Sequence, residues 1–119
     1  MYDLGLKDKV ILITGGSDGL GYASAELLSS EGAHVVICGR RGDYLHEKAK
    51  IITEKTGNEV IPIKADVSIA EDCKKLVEET IARFKKIDVL VNNAGASAAA
   101  LFEDVTDKNW EDDINLKLM

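Results

Sequence analysis

The sequence predicts a doubly wound parallel α/β sheet, on three observations. Short runs of β-branched apolar residues alternate with stretches of helical periodicity, glycines punctuate the boundaries, and the first glycine cluster follows directly on the first apolar run. Strands that alternate with helices form βαβ units, and right-handed crossovers restrict such units to a parallel sheet covered on both faces.

Val10-Ile11-Leu12-Ile13 is continuous and apolar, as a strand buried on both faces should be. From Gly19 to Glu31 the residues Leu20, Ala23, Leu27 and Leu28 recur at helical spacing, and Gly32 stops the helix. His34-Val35-Val36-Ile37-Cys38 is the second strand. The next helix has Asp43 as its expected N-cap, Leu45, Ala49 and Ile52 on one face, and its end at Gly57-Asn58. Glu59-Val60-Ile61-Pro62-Ile63 is the third strand. Its proline, the only one in the chain, favours an edge position, where a missing N–H costs least. Ser68-x-x-Glu71 has the form of a capping box before a helix lined by Ile69, Cys73, Leu76, Val77, Thr80, Ile81 and Phe84. Asp88-Val89-Leu90-Val91-Asn92 is a fourth strand. After a small-residue loop from Ala94 to Ala100, a last helix capped by Thr106 and carrying Trp110, Ile114 and Leu118 is expected to run to the end of the chain.

A strand order of 3-2-1-4 places Pro62 on the outer edge and a switch point between strands 1 and 4, with the chain ending before a strand 5. All 119 residues then form one Rossmann-like domain, without linker, repeat or low-complexity tract. The balance of 45% hydrophobic and 30% charged residues is that of a globular domain, and no stretch approaches the ~20 apolar residues that span a bilayer. A cytoplasmic location is the default expectation. A net charge of −6 argues against a nucleic-acid partner. Cys38 and Cys73 are expected as separate buried thiols, and His34 and His46 lack companions at metal-ligand spacing, so no metal site is expected.

The loop Thr14-Gly15-Gly16-Ser17-Asp18-Gly19-Leu20-Gly21 carries the chemistry. A loop that enters a helix N-terminus offers unpaired N–H groups and the positive end of the helix dipole to an anion. Phosphate approaches closely where side chains are missing, as at Gly15, Gly19 and Gly21. A Walker A loop is excluded because no Gly-Lys-Ser/Thr follows.

Thr14-Gly15-x-x-x-Gly19-x-Gly21, Asp66-Val67, Asn92-Asn93-Ala94-Gly95 and Asn115 after Trp110 together resemble the short-chain dehydrogenase/reductase pattern over essentially the whole chain. The resemblance implies a nicotinamide dinucleotide as cofactor. It places Gly15, Ser17, Asp18, Gly19, Leu20 and Gly21 along the pyrophosphate, Asp66 on the adenine amino group with Val67 beside the ring, and Asn92, Ala94 and Gly95 beside the ribose. For Asn92, a bond that merely ties neighbouring strands is an equal alternative. Asn115 matches the asparagine that organises a proton relay in that family.

An NAD-binding unit commonly ends its second strand on Asp or Glu; here Gly39-Arg40-Arg41 stands there. Removal of the carboxylate and supply of a guanidinium favour NADP over the alternative, NAD, with Arg40 ahead of Arg41. Asp18 dissents, since NADP-preferring relatives often carry a base in the loop.

The resemblance also implies hydride transfer with a small carbonyl or alcohol substrate, through a serine and a Tyr-x-x-x-Lys pair. Tyr2, Tyr22 and Tyr44 are the only tyrosines, and all precede the third strand; the one with lysine four residues on, Tyr44 with Lys48, falls in the second helix and not after a strand 5, where the family carries its pair. The 119 residues alone are therefore expected to bind cofactor without catalysis, leaving Asn115 latent. The competing expectations are a non-catalytic nucleotide-binding module that self-associates and, more remotely, a methyltransferase, which Gly39-Arg40 disfavours. Uncovered sheet edges favour a homo-oligomer.

Overall fold

A computed structural model describes residues 5–15, 19–93 and 100–104 and the backbone of 117–118. The element order is β1 (Val10–Thr14), α1 (Gly19–Ser30), β2 (His34–Gly39), α2 (Gly42–Thr56), β3 (Val60–Lys64), α3 (Ala70–Phe84), β4 (Val89–Val91) and β5 (Lys117–Leu118). The sheet runs β3-β2-β1-β4-β5, and every pairing is parallel. The 3-2-1-4 order is the expected one, with Pro62 on the outer strand opposite Ile37.

The far end of the sheet corrects the sequence reading. Leu118 was expected on a helix face, with the chain ending before strand 5, but Lys117 and Leu118 pair with Val89 and Leu90. Spacing of Trp110, Ile114 and Leu118 suits a helix, whereas the open backbone of β4 offers Leu118 a ladder of hydrogen-bonding groups, and the ladder wins. Thr106, Trp110 and Ile114 lie outside the described residues.

All five residues of β1 are buried, because helices cover both faces of the sheet. Alternation along the strands sorts the core into two layers. Leu12, Val36, Cys38 and Leu90 pack with Cys73, Leu76 and Val77 of α3, while Ile11, Ile13, Val35 and Ile37 pack with Ala25 of α1 and Leu45, Ala49 and Ile52 of α2. The three α2 residues are those expected from spacing, and Gly57, at φ +77°, ends that helix.

Three local readings are overturned. In α1 the buried positions are Gly21, Ala25 and Ser29, while Leu20 and Leu27 are 81% and 58% exposed. This helix approaches the sheet through its smallest residues, so Leu20 and Leu27 are turned outward, while Leu28 packs partly buried against the core as expected. The N-cap of α2 is Arg41, which places Asp43 in the first turn. The N-cap of α3 is the exposed Ile69, and Ser68 donates its hydroxyl to Asp66 Oδ1 at 2.6 Å instead of closing a capping box.

The opposite, amino-terminal edge is tied by Asp88. Its carboxylate accepts from the Val10 N–H at 2.8 Å and pairs with Lys86 at 3.1 Å, so the start of β4 is fixed to the start of β1. Burial pushes the Asp88 carboxyl up, but the Val10 N–H and Lys86 outweigh it and hold the group below the ordinary range.

A candidate dinucleotide site at the carboxyl edge

The carboxyl ends of β1, β2 and β3 and the residues after β4 meet on one edge of the sheet, where ligands of open α/β folds bind. At the centre, Thr14 is fully buried, the last residue of an otherwise apolar strand. Its hydroxyl oxygen accepts from the Asn93 N–H at 2.8 Å and donates to Asn92 Oδ1 at 3.2 Å. Asn93 Nδ2 in turn donates to the Thr14 carbonyl at 2.9 Å.

Backbone pairing between β1 and β4 ends at Ile13 and Val91. Beyond it, these side-chain bonds hold the two chains together. The strand-tying alternative for Asn92 is thus present in the structure, and Asn93, which the resemblance treated only as part of the Asn92–Gly95 segment, makes two of the three bonds. The signal available was a threonine at the end of an apolar strand opposite two amides.

Glycine loop geometry follows from this junction. Gly15 takes φ +68° and Gly19 φ +54°, left-handed conformations that cost side-chain-bearing residues energy. A Cβ at Gly19 would meet nothing within 4 Å among the described residues, so none of them closes the space over the start of α1. A Cβ at Gly21 would collide with the Gly15 carbonyl oxygen and lie 2.9 Å from Asn93 Nδ2. Gly15 thus supplies a turn, Gly19 an open approach, and Gly21 close packing of α1 on β1. Leu20 is exposed beside this opening. Ser17, Asp18, Ala94, Gly95 and Asn115 lie outside the described residues.

At the ends of β2 and β3, Gly39 pairs with Lys64, and the Ala65 N–H donates to the Gly39 carbonyl at 3.0 Å. Arg40 and Asp66 are the next residues of the two chains, brought together by this register. Asp66 Oδ1 accepts from the Ser68 hydroxyl and from its N–H, and those two bonds, with the positive charge of Arg40, outweigh a slight burial and hold the carboxyl below its ordinary value. Val67 is partly buried against the core. Arg41 points elsewhere: its guanidinium stacks 4.3 Å from the centre of the Tyr44 ring, and Lys48 lies over the same ring and over Tyr22.

Cys38 lies under this edge, and Cys73 on the buried face of α3; both are free and buried. Burial, only partly opposed by the Gly15 N–H, pushes the Cys38 thiol up to about 12. Burial and then the charges of Asp72 and Asp66 raise Cys73. Neither thiol is a nucleophile at neutral pH.

The group the loop would hold is a diphosphate flanked by two nucleosides, and the residues fit it. An open left-handed glycine stands over a helix N-terminus, with a cation and a carboxylate on the neighbouring strand ends.

The short chain dehydrogenase family model matches residues 9–119. The chain is 44% identical over 110 residues to the 11-beta-hydroxysteroid dehydrogenase-like 3 protein of Arabidopsis thaliana, covering 90% of this chain and 36% of that one. Among solved structures, L-sorbose reductase of Gluconobacter frateurii, crystallised with NADPH and L-sorbose, is 43% identical with a TM-score of 0.75, the match covering 80% of this chain and 36% of that one. An NAD+-bound xylitol dehydrogenase, 24% identical with a TM-score of 0.78 over 87% of this chain and 48% of that one, shares the fold. The chain therefore spans only about a third of the length of these two relatives at over 40% identity.

Proposed function

Since this chain belongs to the short chain dehydrogenase family, we propose that it forms the cofactor-binding part of an NADP(H)-dependent oxidoreductase acting on a small carbonyl or alcohol. The observation that carries the NADP reading is the end of β2. Gly39 leaves no carboxylate to repel a 2′-phosphate, and Arg40 stands beside it at the ligand edge. Support comes from the sorbose reductase, which holds NADPH. Other Rossmann proteins with an acid at that position bond the ribose hydroxyls instead.

When bound, the nicotinamide would supply or accept the hydride; this chain's own residues position it. Gly15, Ser17, Asp18, Gly19, Leu20 and Gly21 would run along the pyrophosphate, with the α1 N-terminus facing its charge. Asp66, ionised at neutral pH and steadied by Ser68, would accept from the adenine amino group, with Val67 against the ring. Asn92, Ala94 and Gly95 would border the ribose. Asn115 would serve the proton relay, and Arg41, committed to Tyr44, would contribute less than Arg40.

General acid–base groups contribute ~10²–10⁴ in rate. The one Tyr-x-x-x-Lys spacing in the 119 residues, Tyr44 with Lys48, lies in α2 with Arg41 stacked on the tyrosine ring and not after a strand 5, so the isolated chain would bind cofactor and turn over nothing measurable. The same reading places the protein in the cytoplasm as a homo-oligomer. No helix among the described residues is long and apolar enough to cross a membrane.

The test is Arg40→Ala with NADPH and NADH titrated separately. Loss of one charge-assisted bond of ~1.5 kcal/mol or more raises the NADPH dissociation constant about tenfold and leaves that for NADH nearly unchanged. Equal effects on the two cofactors would remove the NADP assignment.

A further inference from the structure

Lys64 was no part of the sequence reading, and the structure sets it beside the proposed 2′-phosphate position. It ends β3 directly opposite Gly39, the residue whose missing carboxylate favours NADP. Its hydrocarbon stem lies against Gly42: a Cβ on Gly42 would sit 3.4 Å from Lys64 Cδ and 3.9 Å from both Cβ and Cγ. The stem thus crosses from the edge strand toward the segment Gly39-Arg40-Arg41-Gly42, passing close to Gly42. No ion pair engages Lys64 among the described residues. The nearest acid along the chain, Asp66, is already engaged by the hydroxyl and N–H of Ser68.

From this placement we propose that Lys64 is a second specificity-determining cation, which acts with Arg40 to hold the 2′-phosphate of NADP. The inference rests on the NADP reading given above. Arg40 follows Gly39 on the side of Asp66, whereas Lys64 approaches across Gly42, so a phosphate over Gly39 would be met from two directions. Lysine suits the second position because its ammonium is a compact charge that needs no planar geometry.

The experiment compares the unaltered protein, Lys64→Met, Lys64→Arg and Arg40→Ala by calorimetric titration with adenosine 2′-monophosphate and adenosine 5′-monophosphate, then with NADPH and NADH. Methionine keeps the stem and removes the charge. If Lys64 holds the 2′-phosphate, Lys64→Met weakens adenosine 2′-monophosphate and NADPH about three- to tenfold, leaves adenosine 5′-monophosphate and NADH unchanged, and Lys64→Arg restores most of the loss. If Lys64→Met leaves 2′-monophosphate binding intact while Arg40→Ala weakens it, Lys64 has no such role and the NADP reading stands. Equal weakening of all four ligands by Lys64→Met also overturns the proposal. If neither variant separates the 2′- from the 5′-nucleotide, the NADP reading falls and the role of Lys64 with it.

Discussion

Replacing Gly21 by alanine tests the cradle, because two effects of opposite sign compete there. In a helix, alanine is favoured over glycine by ~1 kcal/mol, so an unobstructed Gly21→Ala would raise stability. The structure obstructs it. The new Cβ would strike the Gly15 carbonyl oxygen and stand 2.9 Å from both the Gly15 carbonyl carbon and Asn93 Nδ2. Contacts between carbon atoms are optimal at about 3.5–4.0 Å, so α1 must retreat from β1 by at least about half an ångström. Neither obstacle is a flexible side-chain end. One is backbone whose N–H is bonded to Cys38, and the other is an amide bonded to Thr14 at 2.9 Å. Overpacking of this kind costs ~1–3 kcal/mol, and the upper end applies against backbone. With the propensity gain set against it, the net loss is about 1–2 kcal/mol. At roughly 2.1 cal/mol/K per residue this lowers Tm by about 4–8 °C. Retreat of α1 also draws its N-terminus off the phosphates, and NADPH affinity falls about tenfold, the loss of one charge-assisted bond. Thermal denaturation with and without NADPH measures both. A Gly21→Ala protein more stable than the original, with unaltered affinity, would refute the packing account.

Other outcomes follow from the same structure. Asp88 has a depressed carboxyl value, so its ionised form stabilises the fold at pH values above the ordinary aspartate range near ~3.9, and that contribution disappears as pH falls through the lower folded value. Denaturation of Asp88→Asn should therefore trail the original protein at pH 6 and converge with it as pH falls through the depressed folded value; a gap constant over the whole acid range would exclude the Val10 and Lys86 bonds as its source. Cys38 and Cys73, buried and with raised values, should resist an aromatic disulfide reagent at pH 8 until denaturant is added. Rapid labelling of either thiol in native buffer would contradict their placement in the core.

Sheet order was legible because its signals are local and unambiguous. A continuous β-branched run reports burial on both faces, and one proline reports an edge. The face of α2 was legible because its contacts with the sheet are made by Leu45, Ala49 and Ile52, which hydrophobicity singles out. In α1 the same method found Leu28, which packs against the core, but otherwise missed the contacting face. Gly21, Ala25 and Ser29 also recur at helical spacing, but hydrophobicity gives glycine and serine no weight, and their smallness is what lets the helix sit close. At the start of α3, Ser68 could bond forward into the helix or back to Asp66, and sequence spacing does not rank these options; the structure has the bond to Asp66. Phe102, fully buried in the α3-side core, went unnoticed because its short helical stretch, residues 100–104, follows a run of small residues with no periodicity of its own. Lys64 was invisible for another reason: its relation to Gly39 and Gly42 exists only through the register of β2 on β3.

The glycine loop and the amides after β4 prove to be one construction. A cleft at a switch point requires adjacent strands to stop pairing while their ends stay at a fixed separation. Here the ladder between β1 and β4 stops at Ile13 and Val91, and three bonds among Thr14, Asn92 and Asn93 take over. These bonds make Thr14 a buried polar residue with its hydrogen-bonding capacity used, which is the condition for tolerating it in the core. The amide that braces β4 to Thr14 is also the group against which Gly21 packs. Position of the α1 N-terminus is therefore set through Asn93 by the strand separation, and the loop glycines are constrained by a residue 72 positions beyond Gly21 in the sequence. A glycine pattern identifies such a loop from sequence alone; what holds it in place is a long-range contact that only the folded sheet creates.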